Sequence, residues 1–251
     1  RRMNEKDDMF KKFHDSFKGM QGHFHILEER VPVERQVEYF KYSDRMKQNA
    51  RPIEEDEFEL LDGWLTEPDV TDENRKFALT RLAISHNIKA YRALEKYVQS
   101  PDSKLKDWAH LALMESRITL ESELSEEKQI YISTGLGGKN EKLRFFVLLQ
   151  AADKKPFEAY QRQVIEREFA FYLEKADCEI EQLDIKDRYG ILLFLLPIRT
   201  DIKALLDATI AECNQFGNFL SEVYTVTNVK ELSEEEIIAI IDRNGNVKAS
   251  H

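Results

Sequence analysis

The stretch from Lys142 to Val229 most constrains the fold, because its hydrophobic pattern changes type in a definite order. Short runs that alternate or are wholly apolar predict strands, and one-sided apolar stripes at helical spacing predict helices. The order along this stretch is strand, helix, strand, strand, helix, strand. Helices that connect strands of one sheet must bury their apolar stripes on a sheet face, so the order predicts an α+β architecture.

The predicted elements are strands at 142–150, 178–185, 189–197 and 223–227, and helices at 157–175 and 201–216. Strands 142–150 and 189–197 are apolar on both sides, which is typical of strands buried on both faces. The order resembles ferredoxin-like folds, in which the first and third strands are central and the second and fourth are edges. This resemblance implies a βαββαβ sandwich with both helices on one face, and an apolar second face that must be covered.

Residues 71–124 carry a pattern of helical repeats. Phe77, Ala78 and Leu82 recur as Trp108, Ala109 and Leu113, at an interval of 31 residues (77 to 108). The stretch 101–113, an Asp-rich turn before a helix with Ala and Ala-Leu on one side, resembles the first helix of a HEAT repeat. The resemblance covers one and a half to two repeats and implies a concave protein-binding surface. A plain helical bundle stays open, because stacking normally needs about three units.

Two further elements extend the C-terminal half: a strand at 129–134 and a helix at 233–242 that begins with a capping box. The domain boundary is therefore predicted after residue 128. Residues 1–128 are assigned to a helical, HEAT-like region, and residues 129–251 to a ferredoxin-like domain. The glycine-rich segment that follows could join the extra strand to 142–150 in a hairpin, but the first strand of the standard ferredoxin-like order already has neighbours on both sides. The extra strand therefore either pairs at an outer edge of the sheet or belongs to a variant topology, and the sequence leaves both open.

The charge of the chain disfavours polyanionic partners. It has 47 acidic and 37 basic residues and a formal net charge of −10, with no cluster of Lys and Arg in the sequence. Proteins that bind nucleic acid need such clusters to neutralise phosphates. The longest apolar run, 190–197, is too short to span a bilayer. We therefore expect neither nucleic acid binding nor membrane insertion.

Cysteine content indicates the compartment. Cys178 and Cys213 are too few and too far apart for the disulfide framework of a secreted protein. We expect a cytoplasmic protein with free thiols. The chain begins Arg1-Arg2-Met3, which leaves open a removed upstream leader.

The glycine cluster is the sharpest local motif. Gly135, Gly137 and Gly138 precede Lys139, and Arg144 follows in the next strand. Backbone amides of such a loop can bind phosphate, so these five residues are the candidate site for an anionic ligand. The spacing matches neither a P-loop nor a dinucleotide-binding loop, since Ser133 and Asn140 stand at required positions. The alternative is a turn or a linker between domains.

Other residues give weaker signals. His23 and His25 would share a face if extended, but zinc needs a third and usually a fourth ligand. Glu179 and Glu181 alternate on one face of a predicted edge strand, where charge commonly prevents aggregation. No catalytic, metal or cofactor site is therefore predicted.

Two functions from different classes follow. The first is a non-enzymatic protein-binding or scaffold protein, whose partner is another protein or a second copy that forms a homodimer through the uncovered sheet face. The alternative is a small-molecule-binding or enzymatic domain that takes an anionic ligand on the sheet face or at the Gly135–Gly138 loop.

Overall fold

The computed structural model describes residues 20–247 together with Asp15 and Phe17, and side chains as far as Asn244. The sequence also predicts an amphipathic helix over 9–20, from apolar residues at helical spacing. Most of that range lies outside the described residues. The chain divides into two compact units. The helical unit comprises residues 21–133. The sheet unit comprises the described residues from 134 onward together with Asp15, Phe17 and Met20.

The helical unit contains five helices between two short strands. They are β1 (His23–Ile26), α1 (Val33–Lys47), α2 (Glu55–Thr66), α3 (Asp72–Ala83), α4 (Ile88–Tyr97), α5 (Lys106–Leu124) and β2 (Gln129–Ile132). Side chains cap two of the helices, as the sequence favours. Thr71 accepts a hydrogen bond from the Asn74 amide at the start of α3, and Asn87 does so from the Lys89 and Ala90 amides at the start of α4.

Helix α3 is the centre of the helical unit. It packs against α1, α2, α4 and α5. Every side chain from Ala78 to Ala83 is buried, which is the pattern of a helix surrounded by others. Among the helices that the structure describes, none is long and apolar enough to cross a membrane.

Strand β2 lies in the helical unit and pairs in parallel with β1. The register joins His23 to Gln129 and Ile26 to Ile132. Among the described residues, β2 therefore forms no hairpin with β4 and lies at no edge of the C-terminal sheet. The division between the units falls after Ser133, five residues beyond the predicted boundary at 128.

The sheet unit contains the predicted antiparallel sheet. Its elements are β3 (Gly138–Lys139), β4 (Lys142–Gln150), α6 (Ala159–Lys175), β5 (Glu179–Ile185), β6 (Tyr189–Pro197), α7 (Ile202–Cys213), β7 (Thr225–Thr227) and α8 (Glu234–Val247). The strand order is β3-β4-β6-β5, and β7 also pairs with β4. All pairings are antiparallel. The α+β class is confirmed, and the two apolar strands β4 and β6 lie inside the sheet.

Alternation along β4 gives the sheet two apolar faces. Phe145, Val147 and Leu149 point to one face, and Phe146 and Leu148 point to the other, all of them buried. Helices α6 and α7 pack against each other, and α6 also contacts β5. The second face has a different cover, which comes from the end of the chain.

Helix α8 covers the face that carries Phe146 and Leu148. Ile237 is 2% exposed and belongs to one buried cluster with Leu136, Phe146, Leu148 and Leu193. Ser233 and Glu236 form the predicted capping box at the start of this helix. Because the chain itself buries this face, a second copy is not needed to cover it, and the face gives no reason to expect a homodimer.

The covered face predicts a monomer in solution. Light scattering should give the mass of one chain, 29.5 kDa, across a wide range of protein concentration. The variant Ile237→Asp places a charge against Phe146 and should displace the helix, so that its mass rises with concentration as the exposed faces associate. A wild-type mass that approaches twice that of one chain would contradict this prediction.

Candidate functional site

The glycine loop is buried. Every residue from Thr134 to Gly138 is buried. The Leu136 amide donates to the Asn228 carbonyl (2.9 Å), and the Gly137 amide donates to the Thr134 carbonyl (3.3 Å). These two loop amides are therefore used inside the protein and do not form an open cradle for phosphate.

Two of the glycines are required by local geometry. Gly137 has φ +65°, a left-handed conformation that favours glycine. A Cβ atom at Gly135 would lie 1.9 Å from the Val229 carbonyl oxygen, so only glycine allows the two backbone segments to approach this closely. Gly138 begins β3, a two-residue strand that forms a tight hairpin with β4.

Arg144 connects the loop to the far edge of the sheet. Its Nε and Nη2 donate to the two carboxylate oxygens of Glu181 at 2.6 and 2.8 Å. Its Nη1 donates to the Leu136 carbonyl at 2.7 Å. Hydrogen bonding to Glu181 raises the pKa of the Arg144 guanidinium, so this group stays charged. This bidentate geometry is the one that arginine would use for an external carboxylate or phosphate, but here a side chain of β5 occupies it.

The neighbouring lysines are also paired with carboxylates. Lys139 lies 3.6 Å from Glu179, and Lys142 lies 3.3 Å from Asp177. The structure thus brings the predicted residues together at one end of β3 and β4, and it adds Glu179 and Glu181 as their partners. An incoming anion would have to displace these carboxylates before it could reach either Lys139 or Arg144.

Loss of Arg144 should destabilise the sheet unit. The variant Arg144→Met keeps much of the side-chain volume but leaves Glu181 and the Leu136 carbonyl without this donor. We expect the free energy of unfolding to fall by about 2 kcal/mol, the usual scale for a hydrogen-bonded charged group in a partly buried site. Guanidinium denaturation followed by far-UV circular dichroism measures this change.

A matched variant separates this pair from an ordinary surface pair. Lys139→Met removes an ion pair in which both side chains are about half exposed (51% and 49%), so it should lower the free energy of unfolding by less than about 1 kcal/mol. Equal losses in the two variants would show that Arg144 has no special role in holding the loop.

A second polar cluster joins β1, β2 and α5 in the helical unit. The His25 Nε2 atom lies 2.6 Å from Gln129 Oε1 and 3.0 Å from Glu121 Oε2. Because both neighbours are acceptors, the geometry assigns the proton to Nε2. The Tyr131 hydroxyl donates to the same Glu121 oxygen (2.8 Å), and its ring stacks on His25 with centroids 4.5 Å apart.

Electrostatics in this cluster favour a neutral tyrosine. Burial raises the pKa of Tyr131, and the hydrogen bond and charge of Glu121 raise it further. An imidazole, a carboxylate and a phenol in contact can relay a proton. Here, however, the three groups satisfy one another and hold the parallel strands against the end of α5. Only His25 was singled out by the sequence analysis, since Glu121 and Tyr131 lie far from it along the chain.

A third cluster surrounds a buried carboxylate. Glu115 on α5 is 3% exposed. It accepts hydrogen bonds from the Tyr39 hydroxyl (3.0 Å), the Ser43 hydroxyl and the Lys47 ammonium (2.9 Å), all on α1. These three donors are spaced four residues apart and so lie on one face of the helix. The cluster therefore holds α1 against α5. The positive charge of Lys47 lies beside the negative charge of Glu115.

Tyr39 makes the helical unit sensitive to alkaline pH. Burial, and then the charge of Glu115, raise the pKa of Tyr39 well above its ordinary value of 10.0. The folded state therefore binds this proton more tightly than the unfolded state. The resulting stability is fully present below pH 10 and is lost as the pH rises above it. Denaturation of wild type and Tyr39→Phe between pH 8 and 11 should show a shallower alkaline decline for the variant, and parallel declines would contradict the prediction.

Within the part of the chain that the structure describes, no three His, Cys, Asp or Glu side chains are arranged as ligands of a metal ion. His23 pairs with Glu127 (2.7 Å), apart from the partners of His25. The histidine pair considered in the sequence analysis thus takes carboxylate partners of the same chain.

Comparisons with known proteins give little further information. A scan against models of protein families and a search of curated proteins both found no match. Among solved structures, the chain is similar to one described as the REP associates tyrosine transposase bound to a REP hairpin. The identity is 12% over 50% of this chain and 74% of that chain, with a TM-score of 0.32. A TM-score at this level does not establish a shared fold.

Proposed function

We propose that this chain is a non-enzymatic protein-binding or scaffold protein, with a HEAT-like helical unit and a ferredoxin-like sheet unit. The strand order supports the second assignment: β7-β4-β6-β5, with helices after the first and third of its four strands along the chain, is the order expected of a βαββαβ sandwich. The successive helices that pack around α3 support the first. The free thiols of Cys178 and Cys213 fit a cytoplasmic location.

One observation carries the binding proposal: apolar side chains are exposed on three helices of the helical unit, one of which contacts both of the others. Val37 on α1 is 47% exposed, Leu60 on α2 is 54% exposed, and Phe77 on α3 is 38% exposed. Helix α3 packs against both α1 and α2, and Phe77 itself lies beside Trp64 of α2. We call these three side chains the helical face. Apolar surface that extends over several elements commonly marks a protein interaction site.

Local contacts hold the helical face in place. The Phe77 ring lies beside Trp64 of α2, with centroids 6.4 Å apart. Lys76, the residue before Phe77, lies 3.8 Å from Glu38, the residue after Val37. Aromatic anchors with a charged rim are typical of protein–protein interfaces. An apolar partner segment with polar flanks would fit this composition.

The anionic-ligand alternative has less support. Its cations Lys139 and Arg144 are paired with Glu179 and Glu181, and two amides of its glycine loop bond to carbonyls of the same chain. A ligand would have to replace interactions that are already formed. The geometry of this region is better suited to holding the sheet unit together than to binding.

Quantitative affinity capture tests the proposal. Tagged wild type, a helical-face variant (Leu60→Ser with Phe77→Ser) and a control variant (Ile88→Ser with Phe171→Ser) are incubated with lysate of the source cells. The control removes apolar side chains that are 65% and 55% exposed but lie elsewhere. Each captured protein is then purified and titrated by calorimetry.

The expected result is a partner that binds wild type and control equally and binds the helical-face variant at least tenfold more weakly. A partner that binds all three proteins alike would place the interaction elsewhere. If no purified candidate binds wild type, the proposal fails.

A further inference from the structure

At the end of the sheet opposite to the glycine loop, a loop and a turn are held together by hydrogen bonds. The proposed function does not involve them. The loop 151–157 follows β4, and the turn 186–188 joins β5 to β6. The Ala151 amide donates to the Arg188 carbonyl (2.8 Å), and the Phe157 amide donates to the Asp187 carbonyl (2.7 Å). These two hydrogen bonds clamp the loop against the turn at both ends.

The backbone of this loop is strained. Asp153 and Lys154 have φ values of 55° and 56°, so two successive residues other than glycine adopt the left-handed conformation. Such residues persist only where the surroundings hold them, and they are concentrated at functional sites. The Ala152 amide adds a third restraint by donating to the Phe219 carbonyl (2.8 Å). The backbone at the tip of the loop is therefore held in a defined position.

The clamped segments present four exposed cations, which we call the basic cluster: Lys154, Lys155, Lys186 and Arg188. Among the residues that the structure describes, none of these four cations has an ion-pair partner. At the other end of the sheet, in contrast, Lys139, Lys142 and Arg144 each have one. The nearby Asp187 carboxylate pairs with Arg162 of α6 (3.0 Å), which leaves it less able to neutralise the cluster.

We propose that the basic cluster is a docking surface for a short acidic segment of a partner protein. The chain has a net charge of −10, yet a strained backbone segment in it carries cations without ion-pair partners among the described residues. That combination is unusual. Carboxylates of an acidic segment would supply the partners that the chain itself does not. This surface belongs to the sheet unit, and the inference does not depend on the helical face.

Charge favours an acidic peptide over the other polyanions. Screening limits electrostatic interactions to about 8 Å at physiological salt, so a short segment senses mainly the cations that it touches. A nucleic acid or an anionic membrane extends well beyond that distance and would meet the acidic remainder of the chain. The positive charge of the basic cluster attracts an anion, and the net negative charge of the chain repels a long one. Together they favour a short acidic segment.

The test is fluorescence anisotropy with a fluorescein-labelled peptide of alternating Glu and Gly. The proteins are wild type, a cluster variant (Lys154→Ser, Lys155→Ser and Arg188→Ser) and a control with the same change in charge (Lys41→Ser, Lys96→Ser and Lys106→Ser). The control residues are exposed cations of the helical unit. Circular dichroism verifies that each variant is folded.

We expect wild type and control to bind the peptide with the same affinity, the cluster variant to bind about tenfold more weakly, and all binding to weaken as salt is raised. The helical-face variant should bind like wild type, which separates this inference from the proposed function. Absence of wild-type binding at low salt, or equal weakening in cluster and control variants, would overturn the proposal. Tighter binding to single-stranded DNA or to phosphatidylserine vesicles than to the peptide would also overturn it.

Discussion

Replacing Gly135 with alanine should lower the free energy of unfolding of the sheet unit by about 3 kcal/mol, the upper end of the range for overpacking in a core. The added Cβ atom would lie 1.9 Å from the Val229 carbonyl oxygen, 2.7 Å from its carbon and 3.0 Å from Cα. All three are backbone atoms, so the conflict is relieved only by separating two chain segments. That separation would also break the hydrogen bond from the Leu136 amide to the Asn228 carbonyl.

The matched control is Gly190→Ala in the same sheet. There the nearest atom to the added Cβ is Cδ1 of Ile185 at 3.0 Å, the end of a side chain that can change rotamer. We expect a loss of about 1 kcal/mol or less for this variant. A loss for Gly135→Ala no greater than that of the control would show that the loop yields easily and does not depend on glycine.

Two optical signals make the measurement specific. Trp64 and Trp108 are the only tryptophans of the chain, and both lie in the helical unit. Their fluorescence therefore reports unfolding of the helical unit, while far-UV circular dichroism reports both units. We expect Gly135→Ala to shift the circular dichroism transition to lower denaturant and to leave the fluorescence transition in place.

Strands β4 and β6 show what could be predicted from the sequence. Their bounds, 142–150 and 189–197, agree with the prediction. Both are long apolar runs that end at polar or turn residues, and such runs are buried inside a sheet wherever they occur. Strand β7 was predicted over 223–227 but spans only Thr225–Thr227, because an edge strand with half-polar residues has no sharp limit in sequence.

The pairing of β1 with β2 could not be predicted in this way. Each strand has four residues, and the two are separated by all five helices of the unit. Pairing in parallel across such a distance is decided by where the helices place the two strands, and local periodicity contains no information about that. The sequence therefore predicts strand β2 correctly and leaves its pairing partner undecided.

The residues that recur at the 31-residue interval (77 to 108) differ in their surroundings in the structure. Ala78 and Ala109, equivalent by the 31-residue interval (77 to 108), are both fully buried. Phe77 and Trp108 differ, since Phe77 is 38% exposed and Trp108 is 4% exposed. The difference arises because Trp108 donates from Nε1 to Thr80 in the core, whereas Phe77 lies on the outer side of α3 beside Trp64.

At the glycine loop, the sequence pointed to the glycines and to the cations Lys139 and Arg144. It did not point to the carboxylates that pair with these cations. Composition pointed to Gly135, Lys139 and Arg144 because cations near glycines resemble an anion site. The carboxylates that pair with these cations come from β5, which is brought near by β6. Sequence alone does not show whether a cation is already neutralised, because the answer depends on the order of strands in the sheet.

Replacing Glu115 with alanine should destabilise the helical unit by about 3 kcal/mol, because it removes the acceptor of two fully buried hydroxyl groups, each of which costs about 1 to 3 kcal/mol when left unsatisfied. The carboxylate is the common acceptor for Tyr39, Ser43 and Lys47. Its removal leaves two buried hydroxyl groups and one ammonium group to find new acceptors between α1 and α5. A buried donor without a partner loses its interaction with water and gains nothing in return.

Two variants bracket this effect. Glu115→Gln retains the volume and one oxygen acceptor but removes the charge beside Lys47, so its loss should be smaller than that of Glu115→Ala. Glu123→Ala removes a carboxylate of the same helix whose pair with His86 is about half exposed (53% and 49%), and it should cost less than about 1 kcal/mol.

Tryptophan fluorescence in guanidinium measures all three, because the Trp108 ring lies against Tyr39 with centroids 5.2 Å apart. We expect the loss in free energy of unfolding to be largest for Glu115→Ala, smaller for Glu115→Gln and smallest for Glu123→Ala. That order would show that the Glu115 carboxylate holds α1 in place. If Glu115→Ala were no worse than Glu123→Ala, apolar packing around Tyr39 would be sufficient to hold α1. The position of α1, and with it the helical face, would then be unchanged when the Glu115 charge is removed.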